Sequence, residues 1–273
     1  MPLPSFRHRR RIAIALTLFA LVVMLGIVWI QTGRLANVAV LTGGTLLCCI
    51  LLLALFGMRR RIPILPLGSV STWTQVHIYM GFFTAGVYWM HVPNLIGNGI
   101  FECTLSIIFL LVTGSGFYGL YASRILPKRL TAVEGQHRFE RVDWHRGQIA
   151  DHARKLLEEL SVHVGIAVLG SFYTEHLNPF FNSRPSLTYV LVPNGGRRRR
   201  LLSDLKDLER HLESEGRGTA VKFAALVRRR DDLDYQFALQ LRLRLWVTFH
   251  SLLTFALVAG GLIHSLLVFR FAG

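Results

Sequence analysis

The sequence predicts an all-α integral membrane protein of five transmembrane helices, with a small α or α+β domain inserted between helices four and five. Three observations carry this expectation. First, 52% of the 273 residues are hydrophobic, above the roughly 45–50% of soluble domains. Second, they gather into runs close to the about 20 residues a helix needs to cross a bilayer. The runs lie at roughly 12–30, 36–57, 72–92, 100–121 and 245–269. Third, the basic clusters at 7–11, 58–61, 124–129, 197–200, 228–230 and 242–244 all fall on one side of that topology. The opposite loops, QTGRLAN and HVPNLIGNG, share one Arg, and the tail adds Arg270. By the positive-inside rule the N-terminus and residues 122–242 are cytoplasmic and the C-terminus is outside, in a bacterial inner membrane. The net charge of +15 is thus a matter of topology, and nucleic acid is not an expected partner. Arg197–Arg200 instead suit anionic lipid headgroups.

The expected divisions are residues 1–121 for helices one to four, 122–242 for the basic domain and 243–273 for the fifth helix. The first run follows FRHRRR but is longer than a signal-peptide core and lacks a small-residue cleavage site, so it reads as a retained helix. Spans one and two turn near Thr32 and Gly33. With no ionisable group in their apolar middles, they read as packing or partner-docking helices. Spans three and four are joined by the turn residues of VPNLIGNG. TGSGFYGLY ends span four, with Gly114, Gly116 and Gly119 allowing close helix or ligand approach. Within the inserted domain, 142–160 and 201–215 read as amphipathic helices, the second ended by Gly216. SLTYVLVP (186–193) reads as a strand, and VKFAALVRR as strand or helix. HVGIAVLGSF (163–172) is too short to span, and a helix is expected to run from about Asp231 into the last span. The three cysteines form no CxxC or CxxCH motif and read as small helix residues.

Four histidines break the apolar runs. His77 and His91 lie fourteen apart in span three, and His250 and His264 lie fourteen apart in span five. Fourteen residues advance a helix about 40° short of four turns and rise roughly 21 Å. Each pair therefore shares a face but occupies two depths. Spans three and five run in the same direction, so depth matches His77 with His250 on the inner side and His91 with His264 on the outer side. Two neutral imidazoles facing each other across a bundle suit the axial positions of a b-type haem. Two such pairs give two haem b groups. Gly81 and Gly261 lie three or four residues from a histidine, where a flat macrocycle needs a bare backbone, and Gly86 and Gly260 add room. The competing readings are interhelical hydrogen bonding and a transported divalent metal, which usually includes an Asp or Glu at mid-depth. The other histidines (8, 137, 145, 152, 163, 176 and 211) fall outside the spans. His145 and His152, seven apart on one helix, read as a solvated face.

The two H-x13-H helices, their glycines and the order of spans three to five resemble the membrane di-haem cytochrome b superfamily. That group includes the cytochrome b subunits of quinol-oxidising complexes and of respiratory reductases and dehydrogenases. The resemblance covers about 75 residues as a pattern. It implies axial ligation by His77, His91, His250 and His264. It also implies a subunit carrying electrons across the bilayer within a larger redox complex, partnered by other subunits such as a cytochrome c or iron–sulfur protein, and by quinone. The chain departs from the quinol-oxidising group in its inserted domain and in lacking a Pro-Glu-Trp-Tyr signature, so no quinone site carries over. Two alternatives remain: a stand-alone transmembrane ferric or quinone reductase, and a haem-free membrane scaffold or transporter.

Overall fold

The computed structural model describes residues 6–34, 37–58, 69–131, 138–160 and 167–271. Arg59–Arg61, His137 and His163 lie outside the described residues, as does the start of the 163–172 segment. The described chain is helical and contains no strand. In order the helices are α1 (Phe6–Gly33), α2 (Val38–Met58), α3 (Val70–His91), α4 (Ile100–Thr131), α5 (Val142–Leu160), α6 (Ala167–Phe172), α7 (Asn178–Asn182), α8 (Leu187–Leu191), α9 (Gly196–Glu209) and α10 (Ser214–Phe271). A 3-10 turn, Phe139–Arg141, precedes α5, and a π-helical turn, Tyr173–Leu177, joins α6 to α7.

Four of these helices, α1, α2, α4 and α10, contain stretches long and apolar enough to cross a membrane. With 22 residues, α3 has the length, but Gln75, His77, His91 and its threonines reduce its hydropathy. The chain divides into two compact units, residues 1–121 with 246–273, and residues 122–245.

The first unit is built inside out. Leu16, Phe19, Val22 and Trp29 of α1, Trp89 of α3 and Leu252 and Phe255 of α10 are exposed, whereas Thr42, Thr84 and Ser106 are buried. Packing rather than burial of all apolar surface therefore organises the helices, as expected where the surroundings are apolar. One cluster draws on all of them: Met24 from α1, Leu46 and Ile50 from α2, Val87 and Tyr88 from α3, Phe109 from α4 and Leu257 from α10. Tyr88 stacks on Phe109 with ring centroids 4.0 Å apart, and its hydroxyl donates to the Leu95 carbonyl at 2.6 Å. Two glycines make the close approaches possible. A Cβ on Gly86 would strike Leu21 of α1, and one on Gly260 would strike Leu105 of α4.

The second unit packs the conventional way. Ile149, Ala153 and Leu156 form an i, i+4, i+7 stripe on α5, and meet Leu201 and Leu205 of α9, Phe180 and Phe181 of α7, and Phe223, Leu226 and Val227 of α10. The stripe on α10 recurs at 223, 226, 227, 230, 233 and 234, and so carries Arg230 and Asp234 into the interior. The two form an ion pair. Arg146 of α5 donates to the same Asp234 carboxylate through Nε at 3.2 Å and Nη2 at 2.7 Å, and Arg230 Nη2 donates to the Ser183 carbonyl at 2.6 Å. One carboxylate therefore serves two buried guanidinium groups.

Three expectations for this unit are corrected. SLTYVLVP forms the helical turn of α8 instead of a strand. Ser186 caps it by accepting from the Tyr189 amide at 3.2 Å. Val190 is buried, and Tyr189 donates to Asp231 at 3.2 Å. Burial, reinforced by the Asp231 charge, pushes the Tyr189 phenol well above its usual range and keeps it a donor. Here a cap and tertiary contacts override β-propensity. The helix expected at 201–215 starts instead at Gly196 and ends at Glu209. Gly216 ends nothing: it lies in the first turn of α10, where a Cβ would come within 3.3 Å of the buried Leu212 side chain. As a result α10 begins at Ser214, well before Asp231, and VKFAALVRR is helical.

Asp234→Asn should destabilise the chain by about 3–5 kcal/mol, because two buried cations lose their counter-charge. The exposed pair Arg154–Asp151 provides the contrast: Asp151→Asn should cost less than about 1 kcal/mol. Unfolding of the purified chain in detergent, followed by circular dichroism, measures both, and equal losses would contradict the assignment.

Candidate functional site

The four histidines form two separate groupings in the first unit. His77 of α3 and His250 of α10 have ring centroids 6.5 Å apart with planes inclined by 69°. His91 and His264 lie at the other end of the same two helices, α3 and α10, and Phe101 of α4 lies 6.2 Å from the His264 ring. The spacing of fourteen is two heptads, which keeps a helix face nearly in register. At the midpoints, Thr84 and Leu257 are both buried. The histidine faces are therefore the inward seams of α3 and α10.

Hydroxyl groups from two other helices hold two of the rings. Ser115 Oγ of α4 lies 2.7 Å from His250 Nδ1, and 2.7 Å from the Val112 carbonyl. Thr42 Oγ1 of α2 lies 3.0 Å from His91 Nδ1, and 2.9 Å from the Val38 carbonyl. A hydroxyl has one proton and two lone pairs. Each oxygen thus lies within reach of both a carbonyl of its own helix and a ring Nδ1, and either partner of the hydroxyl–imidazole contact can supply the proton.

The surroundings favour close approach on one side and open space on another. A Cβ built on Gly43 would come within 2.9 Å of His91 Cε1, so the residue after Thr42 must be glycine for the ring to reach the hydroxyl. Trp246 donates its indole N–H to the Ser115 carbonyl at 2.8 Å, and its ring lies 5.8 Å from that of His250. The indole packs directly over Gly119. A Cβ on Gly81, Gly114 or Gly116 meets no atom within 4 Å. Gly261 faces Leu47 at 3.4 Å, and the approaches at Gly86 and Gly260 are taken by leucines of neighbouring helices. Of the glycines the sequence offers as clearance, Gly81, Gly114 and Gly116 face open space.

With metal–imidazole bonds of about 2 Å, two imidazoles on opposite sides of one metal hold their centroids about 6 Å apart. The 6.5 Å between His77 and His250 matches that spacing. The donor set is two imidazole nitrogens, and among the described residues no three His, Cys, Asp or Glu side chains gather as a larger metal-binding group. Cys48 is exposed and Cys49 buried, as their adjacent helix positions require. Elsewhere, His145 and His152 line a cleft with Gln148 and Arg229, floored by Ile149, Leu226 and Leu233.

Sequence reasoning missed Thr42, Ser115 and Trp246. A threonine or serine in an apolar helix ordinarily bonds back to its own carbonyls, and these two do. Their second contact arises only from tertiary placement. The one local hint for Thr42 is the Gly43–Gly44 pair that follows it.

Gly119→Ala should displace the Trp246 indole, break its bond to Ser115 and cost about 1–3 kcal/mol. Thermal unfolding in detergent measures the loss, and an unchanged midpoint would show that the indole is not held there. Compared with protein-family models, with curated proteins and with solved structures, the chain matches none.

Proposed function

We propose that the chain is a membrane cytochrome b subunit of the di-haem superfamily, carrying electrons across a bilayer through two b haems. In this reading α3 is a fifth span and residues 122–242 are an inserted cytoplasmic domain. The N-terminus is inside and the C-terminus outside a bacterial inner membrane. His77 and His250 would hold one haem, and His91 and His264 the other. Gly81, whose Cβ position is open, would lie against a macrocycle, whereas Leu47 packs against that position at Gly261.

The observation that carries the reading is a hydroxyl at Nδ1 of His250 and of His91, from Ser115 and Thr42 respectively. An imidazole whose Nδ1–H is held by an outer oxygen, with Nε2 bare, is in its metal-ligating form, and such a partner orients the ring and raises its basicity. The 6.5 Å ring spacing of His77 and His250 and the open backbone at Gly81 support it. When bound between these imidazoles, a haem would supply one-electron redox chemistry. The chain's own residues orient the ligands and exclude water. Thr84, buried and bonded to the Met80 carbonyl at 2.7 Å, and Leu257 separate the two groupings with a dry layer. Electrons then need a donor at one face and an acceptor at the other: partner subunits such as a cytochrome c or iron–sulfur protein, or quinone.

A reduced-minus-oxidised spectrum of the purified chain tests this. The wild type should show a haem-b alpha band, and its absence sinks the reading. His77→Ala and His250→Ala should lose the same haem, and His91→Ala and His264→Ala the other. Grouping of His77 with His264 would overturn the pairing. Thr42→Val should keep both haems but raise the midpoint potential of the His91/His264 haem, because a less basic ring stabilises the ferric state less. The rise is about 60 mV for each tenfold change in relative affinity, and Thr42→Ser should restore the potential.

A further inference from the structure

We infer that α8 and the start of α9 form an anionic-lipid-binding surface on the second unit. This goes beyond the haem reading and does not rest on it. α8 is apolar on both sides. Tyr189 and Val190 face the unit's interior, tied to Asp231 and buried respectively, so the helix cannot rotate. Leu187, Leu191 and Val192 are consequently turned outward, at 80%, 67% and 68% exposure. Basic charge surrounds them. Residues 184–203 contain five arginines and no acidic residue.

The helix α9 fixes where those arginines point. Leu201 and Leu205 anchor it in the core, and Arg198 turns back to Asp231 and Asp232. Arg199 and Arg200 are exposed and form no ion pair among the described residues. Arg184 and Arg197 are also exposed at the same segment.

Arg184 is paired with Asp143 at 3.5 Å, which leaves Arg199 and Arg200 as the charges beside the aliphatic side chains, and that combination fits the boundary between acyl chains and anionic headgroups. A protein partner fits less well, since three aliphatic side chains fall far below the about 800 Å² per partner of a stable interface. The unit is also joined at both ends to helices apolar enough to cross a membrane, so even a small patch meets lipid at high local concentration.

Amide hydrogen exchange of the full chain in nanodiscs tests the proposal. Residues 187–192 should exchange more slowly in phosphatidylcholine containing phosphatidylglycerol than in phosphatidylcholine alone, while the buried segment 220–227 stays unchanged. Each arginine near an anionic surface contributes about a fivefold preference, so Arg199→Gln with Arg200→Gln should weaken the effect of the anionic lipid roughly 25-fold. Leu187→Asp with Leu191→Asp should abolish it with every arginine in place. Equal exchange in both lipids would overturn the proposal. So would slowing that follows the number of chains per disc instead of lipid charge, because the occupant would then be a second copy.

Discussion

A hydroxyl buried among apolar helices has one proton and two lone pairs, and those of Ser115 and Thr42 each lie between a carbonyl of their own helix and a histidine ring. The histidine site depends on that constraint. It brings a hydroxyl oxygen of a second helix against Nδ1 of His250 and of His91, and it sets the Cε1 edge of the His91 ring against Gly43. It also draws α2 and α4 into the site, which would otherwise consist only of α3 and α10. Gly43 and Gly119 follow from it. The first lets the His91 ring reach Thr42. The second makes room for the indole that grips the Ser115 carbonyl.

The helices of the first unit were legible from the sequence because their apolar runs are long and their loops carry turn residues. The faces were legible too, since a spacing of fourteen fixes both azimuth and depth. What the residues did not reveal was the partner of each ring, because a back-bonded threonine looks the same whether or not a histidine lies beyond it. The role expected for α2, packing or partner docking, did not include the Thr42–His91 contact for the same reason. Thr42 is hidden by its own local chemistry.

In the second unit local patterns succeeded where burial and periodicity agreed, and failed where a cap or a contact decided. The helix expected at 142–160 matches the bounds of α5, whose apolar stripe has helical period throughout. At 186–193 the β-branched and aromatic residues favoured a strand, but Ser186 and the Tyr189–Asp231 bond stabilise a helical turn. Gly216 reads as a terminator until Leu212 is seen packed against it. Neither contact has a local signature.

The helix α10 carries both kinds of interior in one chain segment. From Phe223 to Asp234 its inward residues are apolar except for Arg230, Asp231 and Asp234. Arg230 pairs with Asp234, whose carboxylate Arg146 joins, and Asp231 meets Tyr189 and Arg198, so each of these charges has its partner inside the unit. From His250 to His264 the inward residues are again apolar at the middle, with Leu257 buried, but the polar groups at the ends close differently. Each hydroxyl lies against one nitrogen of a ring. A structural histidine needs only a partner. A ligand needs a partner on one side and a bare nitrogen on the other; Ser115 and Thr42 supply the first of these to His250 and His91.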